Sequence, residues 1–356
     1  MSGTSRAATA SIIGRGWAAP PATSQAELWD GFFADHYGGQ ALAKRIWERA
    51  GVITRHGVVD PRTEDVSRWG TERRMERFVT ESLPLGAAAV TDALEDAGIT
   101  ADGVGHFTVA SCTGYATPGL DILLARDLGM SASVQRLHIG HMGCYAAIPG
   151  LSAVAGSTLM RGEVSVLLCL ELTSLHVQPR DDSGGRPDVQ QVVAHALFSD
   201  AAAAVVVGPD RPGLEIVDVV ARTDVDRSSL MTWDITDAGF RMGLSPRIPD
   251  VLAEHVDVVV NDLLRRHGLG VDDVAGWAVH PGGPRIIDVV ADRLGLDERD
   301  VATSRQVLAD HGNCSSATVL LILDRLLDVG LDPGDPVVLL AFGPGLSLYV
   351  ALLRAR

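Results

Sequence analysis

Cys144 stands in Ile139-Gly140-His141-Met142-Gly143-Cys144-Tyr145-Ala146-Ala147, where an apolar approach meets a run of small residues that reads as the first turns of a helix. A thiol at a strand-to-helix turn faces the unpaired N–H groups and positive dipole end of the helix, which favour the thiolate and lower its pKa. That environment makes a nucleophile. For an isolated cysteine the default reading is a small buried residue, and the downstream chain overturns it. Trp277-Ala278-Val279-His280-Pro281-Gly282-Gly283-Pro284 ends an apolar strand in a histidine, and Asp310-His311-Gly312-Asn313-Cys314-Ser315-Ser316 sets an asparagine ahead of a helix. A Cys, a His and an Asn, each at the mouth of a turn, are the parts of a thioester-handling site. A thiolate trades acyl groups with another thioester at almost no change in free energy. His280 can stabilise that thiolate and then, with the Asn313 amide, donate hydrogen bonds to a thioester carbonyl. Asn313 also fits a helix N-cap. His141 lies near Cys144, but two ligands without a third make no metal site, and none is expected.

The elements that must hold these residues alternate between helix and strand, as in α/β architecture. Val90, Asp92, Leu94, Gly98, Asp102, Val104 and Val109 recur 170 positions later as Val260, Asp262, Leu264, Gly268, Asp272, Val274 and Val279. Each copy reads as a helix closed by Gly, a polar turn and a short apolar strand. The first strand leads to Ala110-Ser111-Cys112-Thr113-Gly114 and the second to His280, so two similar halves are expected to bring equivalent strand ends to a shared site. Val164–Leu170 and Ala201–Val207 read as buried strands, and Pro336–Phe342 with Leu346–Leu353 as a closing hairpin. The Gly208-Pro209-Asp210-Arg211-Pro212-Gly213 stretch divides residues 1–208, which carry the cysteine, from residues 209–356, which carry the histidine and asparagine. Pro179 to Asp188 reads as a polar, solvent-exposed loop.

Forty-five Asp and Glu against thirty Lys and Arg give a net charge of −15, which argues against nucleic acid or an anionic membrane as the main partner. No uncharged span is long enough for a bilayer, and the N-terminus lacks an apolar leader core, so a soluble, cytoplasmic protein is expected. Cys112, Cys144, Cys169 and Cys314 form neither a disulfide framework nor a C-x-x-C pair.

With these motifs placed, the chain from about Ile12 onward resembles the type III polyketide synthases, the chalcone synthase-like branch of the thiolase superfamily. The motifs that carry the resemblance fall in order: the Cys144 turn, Leu197-Phe198-Ser199-Asp200, Val279-His280-Pro281-Gly282-Gly283, His311-Gly312-Asn313 and Phe342-Gly343-Pro344-Gly345. Within that family, Cys112-Thr113-Gly114-Tyr115-Ala116-Thr117-Pro118-Gly119 and Gly140–Tyr145 are most similar to the actinobacterial enzymes that make long-chain alkyl-α-pyrones. The resemblance implies a duplicated thiolase-like αβαβα layered fold, a homodimer, no organic cofactor or metal, and malonyl-CoA and acyl-CoA as substrates. It implies that Cys144 carries the growing chain while His280 and Asn313 stabilise the enolate left when malonyl-CoA loses carbon dioxide. Phe198 matches a gate between the coenzyme A tunnel and the cavity, and Met242 stands where many relatives have a second gating Phe. Cys112, Thr113, Thr117, Thr173 and Leu175 are expected to line or border the starter pocket. Contacts to coenzyme A are expected from Lys44, Arg45 and Arg49 on one helix, from Arg285 and from Ser315, although Lys44 and Arg49 also fit the solvated face of an amphipathic helix. The implied activity is iterative extension of a medium or long fatty acyl starter with release as an alkylpyrone. The alternatives are a β-ketoacyl carrier-protein synthase III-like single condensation, an alkylresorcinol-type ring closure, and a non-catalytic acyl-binding subunit.

Overall fold

The computed structural model describes residues 8–180 and 187–356, so most of the polar loop expected over Pro179 to Asp188 lies outside the described residues. A nine-stranded mixed sheet runs in the order Gly276–Val279, Pro336–Gly343, Ser347–Ala355, Leu214–Thr223, Ala10–Ala18, Ala201–Pro209, Val164–Glu171, Val104–Ser111 and Gln135–Gly140. It consists of two half-sheets of like pattern, joined where Ser11 and Ile12 pair with Glu215 and Leu214. In each half a strand leading toward the site pairs parallel with a buried strand: Val104–Ser111 with Val164–Glu171, and Gly276–Val279 with Pro336–Gly343.

The repeat seen in the sequence extends to single hydrogen bonds. Helix Thr71–Ala97 ends with Gly98 at φ 65°, and helix Ile248–Arg266 runs out to Gly268 at φ 70°, a left-handed conformation that costs Gly nothing. In the first copy the Gly98 N–H bonds to the Glu95 carbonyl and the Ile99 N–H to that of Leu94; in the second, Gly268 bonds to Arg265 and Leu269 to Leu264. These paired bonds close both helices the same way. A short turn follows each, Ala101–Gly103 and Val271–Asp273, and then the strand.

Packing follows from alternation along the strands. Leu167, Cys169, Ala203, Val205, Leu339 and Ala341 face a core shared with Leu151 and Val154 of helix Ala147–Arg161 and Val319 to Leu323 of helix Thr318–Val329. These two helices form a middle layer between the half-sheets. The opposite faces carry Val166, Leu168 and Leu170 against helix Thr71–Ala97, and Val338 and Leu340 against Ile248–Arg266 and Pro284–Leu294. The result is the five-layered α/β arrangement. Cys144 precedes one middle helix and Asn313 the other, so the repeat places them at matching ends of the two halves. The edge strand Gln135–Gly140 has no strand counterpart; helix Glu298–His311 takes its place ahead of Asn313. No helix among the described residues is long and apolar enough to cross a membrane.

Burial of histidine gives the fold an acid-sensitive limb. Burial pushes His176 and His280 down to about 3, and His195 well below its ordinary value near 6.5. Between those values the unfolded chain binds protons that the folded chain refuses, so stability falls as pH falls, by up to ~1.4 kcal/mol per pH unit for each such group. Buried Glu171 and Asp200, whose carboxyls burial raises, act in the opposite sense. The urea midpoint is expected to drop from pH 7 to pH 5; an equal or higher midpoint at pH 5 contradicts neutral buried histidines.

Candidate active site

Three turns converge at the ends of these strands. Cys144 lies in a single 3-10 turn, Gly143–Tyr145, between the edge strand and helix Ala147–Arg161. The turn is pressed by the loop that follows strand Pro336–Gly343. A Cβ on Gly143 would stand 2.9 Å from Cδ of Pro344, and one on Gly343 would stand 2.8 Å from the Tyr145 ring. Glycine on both sides is what permits this approach. His280 is delivered beside the same strand, where its N–H donates to the Leu340 carbonyl at 2.8 Å. Asn313 is stitched by its backbone to the Phe198 segment: its N–H donates to the Leu197 carbonyl at 2.8 Å, and the Ser199 N–H returns to its carbonyl at 2.9 Å.

The Asn313 side-chain oxygen accepts the Ser315 N–H at 2.9 Å. That bond fixes the amide orientation and leaves the NH₂ group as the available donor. Capping and substrate binding therefore use different atoms of one side chain. His280 is 1% exposed, and among the described residues both of its ring nitrogens lack a partner. A partnerless buried imidazole is costly to keep, which marks it as a group awaiting a ligand or a proton.

The thiol departs from the sequence expectation. Burial pushes Cys144 up to about 12, while hydrogen bonds from Ser315 and Asn313 act in the opposite sense. A single 3-10 turn supplies too little helix dipole to outweigh desolvation. The thiol and imidazole are each held neutral by burial, so charge arises only by moving a proton from one group to another.

Two cavities meet here. One, of about 20 Å³, is lined by Cys144, Cys112, Thr113, Met231, Ser315 and Pro344, together with Thr173, Phe198, Trp233 and Met242. The second, of about 60 Å³, shares those last four residues and extends toward Arg55, His176 and His195. Phe198, Met242, Trp233 and Thr173 thus form the partition between them. Trp233 is fixed there by donating to the Cys112 carbonyl at 2.7 Å and by edge-on contacts with His176 and Phe240.

Several sequence-derived positions need correction. Thr117 is exposed, bonded to the Tyr115 hydroxyl on an outer loop, and lines neither cavity. Leu175 is fully buried in the core with helix Thr71–Ala97, because its side chain points away from the strand-end space. Ser315 is 3% exposed and sits 3.6 Å from the Cys112 sulfur, among the thiols and away from any surface that could meet phosphate. Lys44 pairs with Glu48 at 3.9 Å and Arg285 with Asp250 at 3.7 Å; Arg45 and Arg49 are exposed beside Lys44, and none of these four lines either of the two cavities. Trp233 and Glu171 were missed. Glu171 ends the buried strand Val164–Glu171 fully enclosed, accepting bonds from the Cys112 N–H, the Thr113 hydroxyl and the Ser316 hydroxyl. A carboxylate closing an otherwise apolar run was its signal. Among the described residues no three His, Cys, Asp or Glu are placed to hold a metal.

Comparisons with known proteins agree with this geometry. Residues 6–211 match the N-terminal domain of chalcone and stilbene synthases, and residues 221–356 match the C-terminal domain. The chain is 37% identical to the 1,3,6,8-tetrahydroxynaphthalene synthase of Streptomyces peucetius subsp. caesius over 88% of this chain and 84% of that protein. It is 30% identical to the alpha-pyrone synthesis polyketide synthase-like Pks18 of Mycobacterium tuberculosis over 85% of this chain and 80% of that one. Among solved structures, PKS-I from the brown alga Ectocarpus siliculosus superposes with a TM-score of 0.92 at 27% identity, covering 99% of this chain and all of the other. The C-terminal type III polyketide synthase domain of Steely1 from Dictyostelium superposes at 0.89 with 25% identity, covering 98% and 99%.

Proposed function

Because the chain belongs to the chalcone and stilbene synthase family, and is therefore a thiolase-fold acyltransferase and type III polyketide synthase, we propose that it loads an acyl group from coenzyme A onto Cys144 and lengthens it with malonyl-CoA. His280 takes the thiol proton as the Cys144 sulfur attacks the incoming thioester, and coenzyme A leaves as its thiol. Malonyl-CoA then loses carbon dioxide, and the electron pair of the broken C–C bond becomes an enolate. Its oxygen is met by His280 and by the NH₂ of Asn313, which turns to it from the Cys144 sulfur. The enolate carbon attacks the acyl-Cys144 carbonyl and the sulfur departs, leaving on coenzyme A a chain two carbons longer, which Cys144 takes back by thioester exchange, releasing coenzyme A, for the next extension. Neither an organic cofactor nor a metal is required by these steps. The observation that carries the reading is a buried imidazole without a partner among the described residues, together with an asparagine whose oxygen is held by the Ser315 N–H and whose amide nitrogen is turned to the Cys144 thiol.

For the starter we propose a medium or long fatty acyl group, released after extension as an alkylpyrone. The cavity beside Cys144, about 20 Å³, is far smaller than a ligand pocket. A long chain must therefore pass the partition into the larger cavity. Met242 suits that passage, since a thioether bends where a ring would not. Met242→Phe is expected to lower the preference for a long over a short acyl-CoA by roughly tenfold or more, as excluding a few methylenes forfeits ~0.8 kcal/mol each. Thr113 is the poorer site for such a test, because its hydroxyl serves Glu171 and the Leu172 N–H. Product mass spectra across a series of acyl-CoA starters decide the matter. A second reading is favoured by Trp233, whose bulk closes the small cavity: a short starter, with an aromatic product like the tetrahydroxynaphthalene in the name of the Streptomyces relative. Activity confined to short starters, with Met242→Phe unchanged, selects it.

We also propose that residues 1–208 and 209–356 act as two halves sharing the site, and that the chain works as a homodimer. The edge strand Gln135–Gly140 pairs on one side only and exposes Leu137 beside Ile122, a template for pairing with a second copy. Sedimentation as a monomer would contradict the dimer.

A further inference from the structure

An α-helix ends with carbonyls that no residue of the helix can satisfy. At the end of helix Val189–Leu197 each has a separate partner. The Ala194 carbonyl accepts the Phe198 N–H at 3.0 Å, that of His195 accepts Nη1 of Arg55, that of Ala196 accepts Nε2 of Gln25 at 2.8 Å, and that of Leu197 accepts the Asn313 N–H at 2.8 Å. Nη1 of Arg55 also reaches the Phe198 carbonyl at 3.1 Å. One helix end is thus the common anchor of Arg55, the gate and Asn313.

Arg55 is 7% exposed and forms no ion pair among the described residues. A buried cation without a contact ion pair needs compensation. Here it comes from the negative end of the helix dipole, from the Asp200 carboxylate acting at longer range, and from the faces of Trp47 and Phe33, 4.7 and 5.6 Å from the guanidinium carbon. The segment around it is laced to both sides of the site. Ile53 N–H donates to the Ala309 carbonyl, the Thr54 hydroxyl to that of Asp310, and the His56 N–H to the Ser199 hydroxyl. Gly312 fits between, since a Cβ there would stand 3.0 Å from the Leu197 carbonyl and 3.4 Å from Cβ of Arg55.

We propose that Arg55 is a positioning residue for Asn313: by gripping the end of helix Val189–Leu197 it sets the strap from which the Asn313 amide reaches the malonyl thioester oxygen. The inference rests on the reading of Asn313 as an enolate donor. Loading of Cys144 does not require that donor, so the two partial reactions separate the roles.

The test uses the full chain with Arg55→Met, Arg55→Lys and Asn313→Ala, measuring acyl loading by intact mass and malonyl-CoA decarboxylation by carbon dioxide release. Arg55→Met is expected to lower kcat for decarboxylation by roughly ten- to a hundredfold, the cost of a misplaced group, with KM for malonyl-CoA unchanged and loading unchanged from acetyl-CoA, whose acyl group is too short to cross the partition toward Arg55. Arg55→Lys, which can serve only part of the two-carbonyl grip, is expected to recover part of that loss, and it carries the test alone if Arg55→Met does not fold. Equal losses in both partial reactions, a rise in KM alone, or no loss in either variant overturns the proposal. If Asn313→Ala decarboxylates normally, the reading of Asn313 fails; if it is impaired while both Arg55 variants are normal, only the positioning role fails.

Discussion

Cys144→Ala yields a folded protein that takes up no acyl group and makes no product. The substitution removes one sulfur bordering an existing cavity, in a short turn ahead of a helix that alanine favours, so little stability is lost. Chemistry is lost entirely, because no other thiol in the site can replace it. Cys169 and Cys314 are fully buried, and Cys112 faces the Glu171 carboxylate, which together with burial holds its thiol protonated. Intact-protein mass after incubation with an acyl-CoA is the check. An acyl adduct that persists in Cys144→Ala contradicts the assignment.

Asn313→Ala and His280→Ala are expected to fail in different ways. Asn313→Ala keeps acyl loading but loses malonyl-CoA decarboxylation by roughly two to three powers of ten, the usual cost of a missing oxyanion donor. The backbone bonds that seat residue 313 do not involve its side chain, so the strap to Leu197 and Ser199 survives. His280→Ala impairs both steps, because the imidazole serves the thiol proton first and the enolate oxygen afterwards. Equal loss of loading and decarboxylation in Asn313→Ala identifies its side chain as a cap for the Ser315 turn and nothing more.

How far the sequence reached depended on how local each signal was. The repeat was readable because a helix closed by a left-handed glycine, a turn and a strand are local events, and Gly98 and Gly268 carry them in register. Cys144, His280 and Asn313 stood out because each breaks an apolar run at a turn. The Cys144 pKa was misjudged because helix-dipole stabilisation is a local argument and desolvation is not. Thr117 and Leu175 were misplaced for a related reason: which way a strand-end residue faces depends on elements packed from elsewhere. Trp233 and the partition could not be read at all, since its bond to Cys112 joins positions 121 residues apart. The hub at the end of helix Val189–Leu197 is less local still, drawing Gln25, Arg55 and Asn313 to four consecutive carbonyls.

The most direct test of the central claim is to follow the acyl group on the protein itself. Wild-type enzyme is loaded with a fatty acyl-CoA, mixed briefly with malonyl-CoA, quenched and digested, and the acylated peptide is identified by mass. The account predicts that the peptide containing Cys144 carries the starter first and then the starter lengthened by successive two-carbon ketide units. A starter found on any other residue, or one that stays on Cys144 without lengthening while malonyl-CoA is consumed, contradicts it.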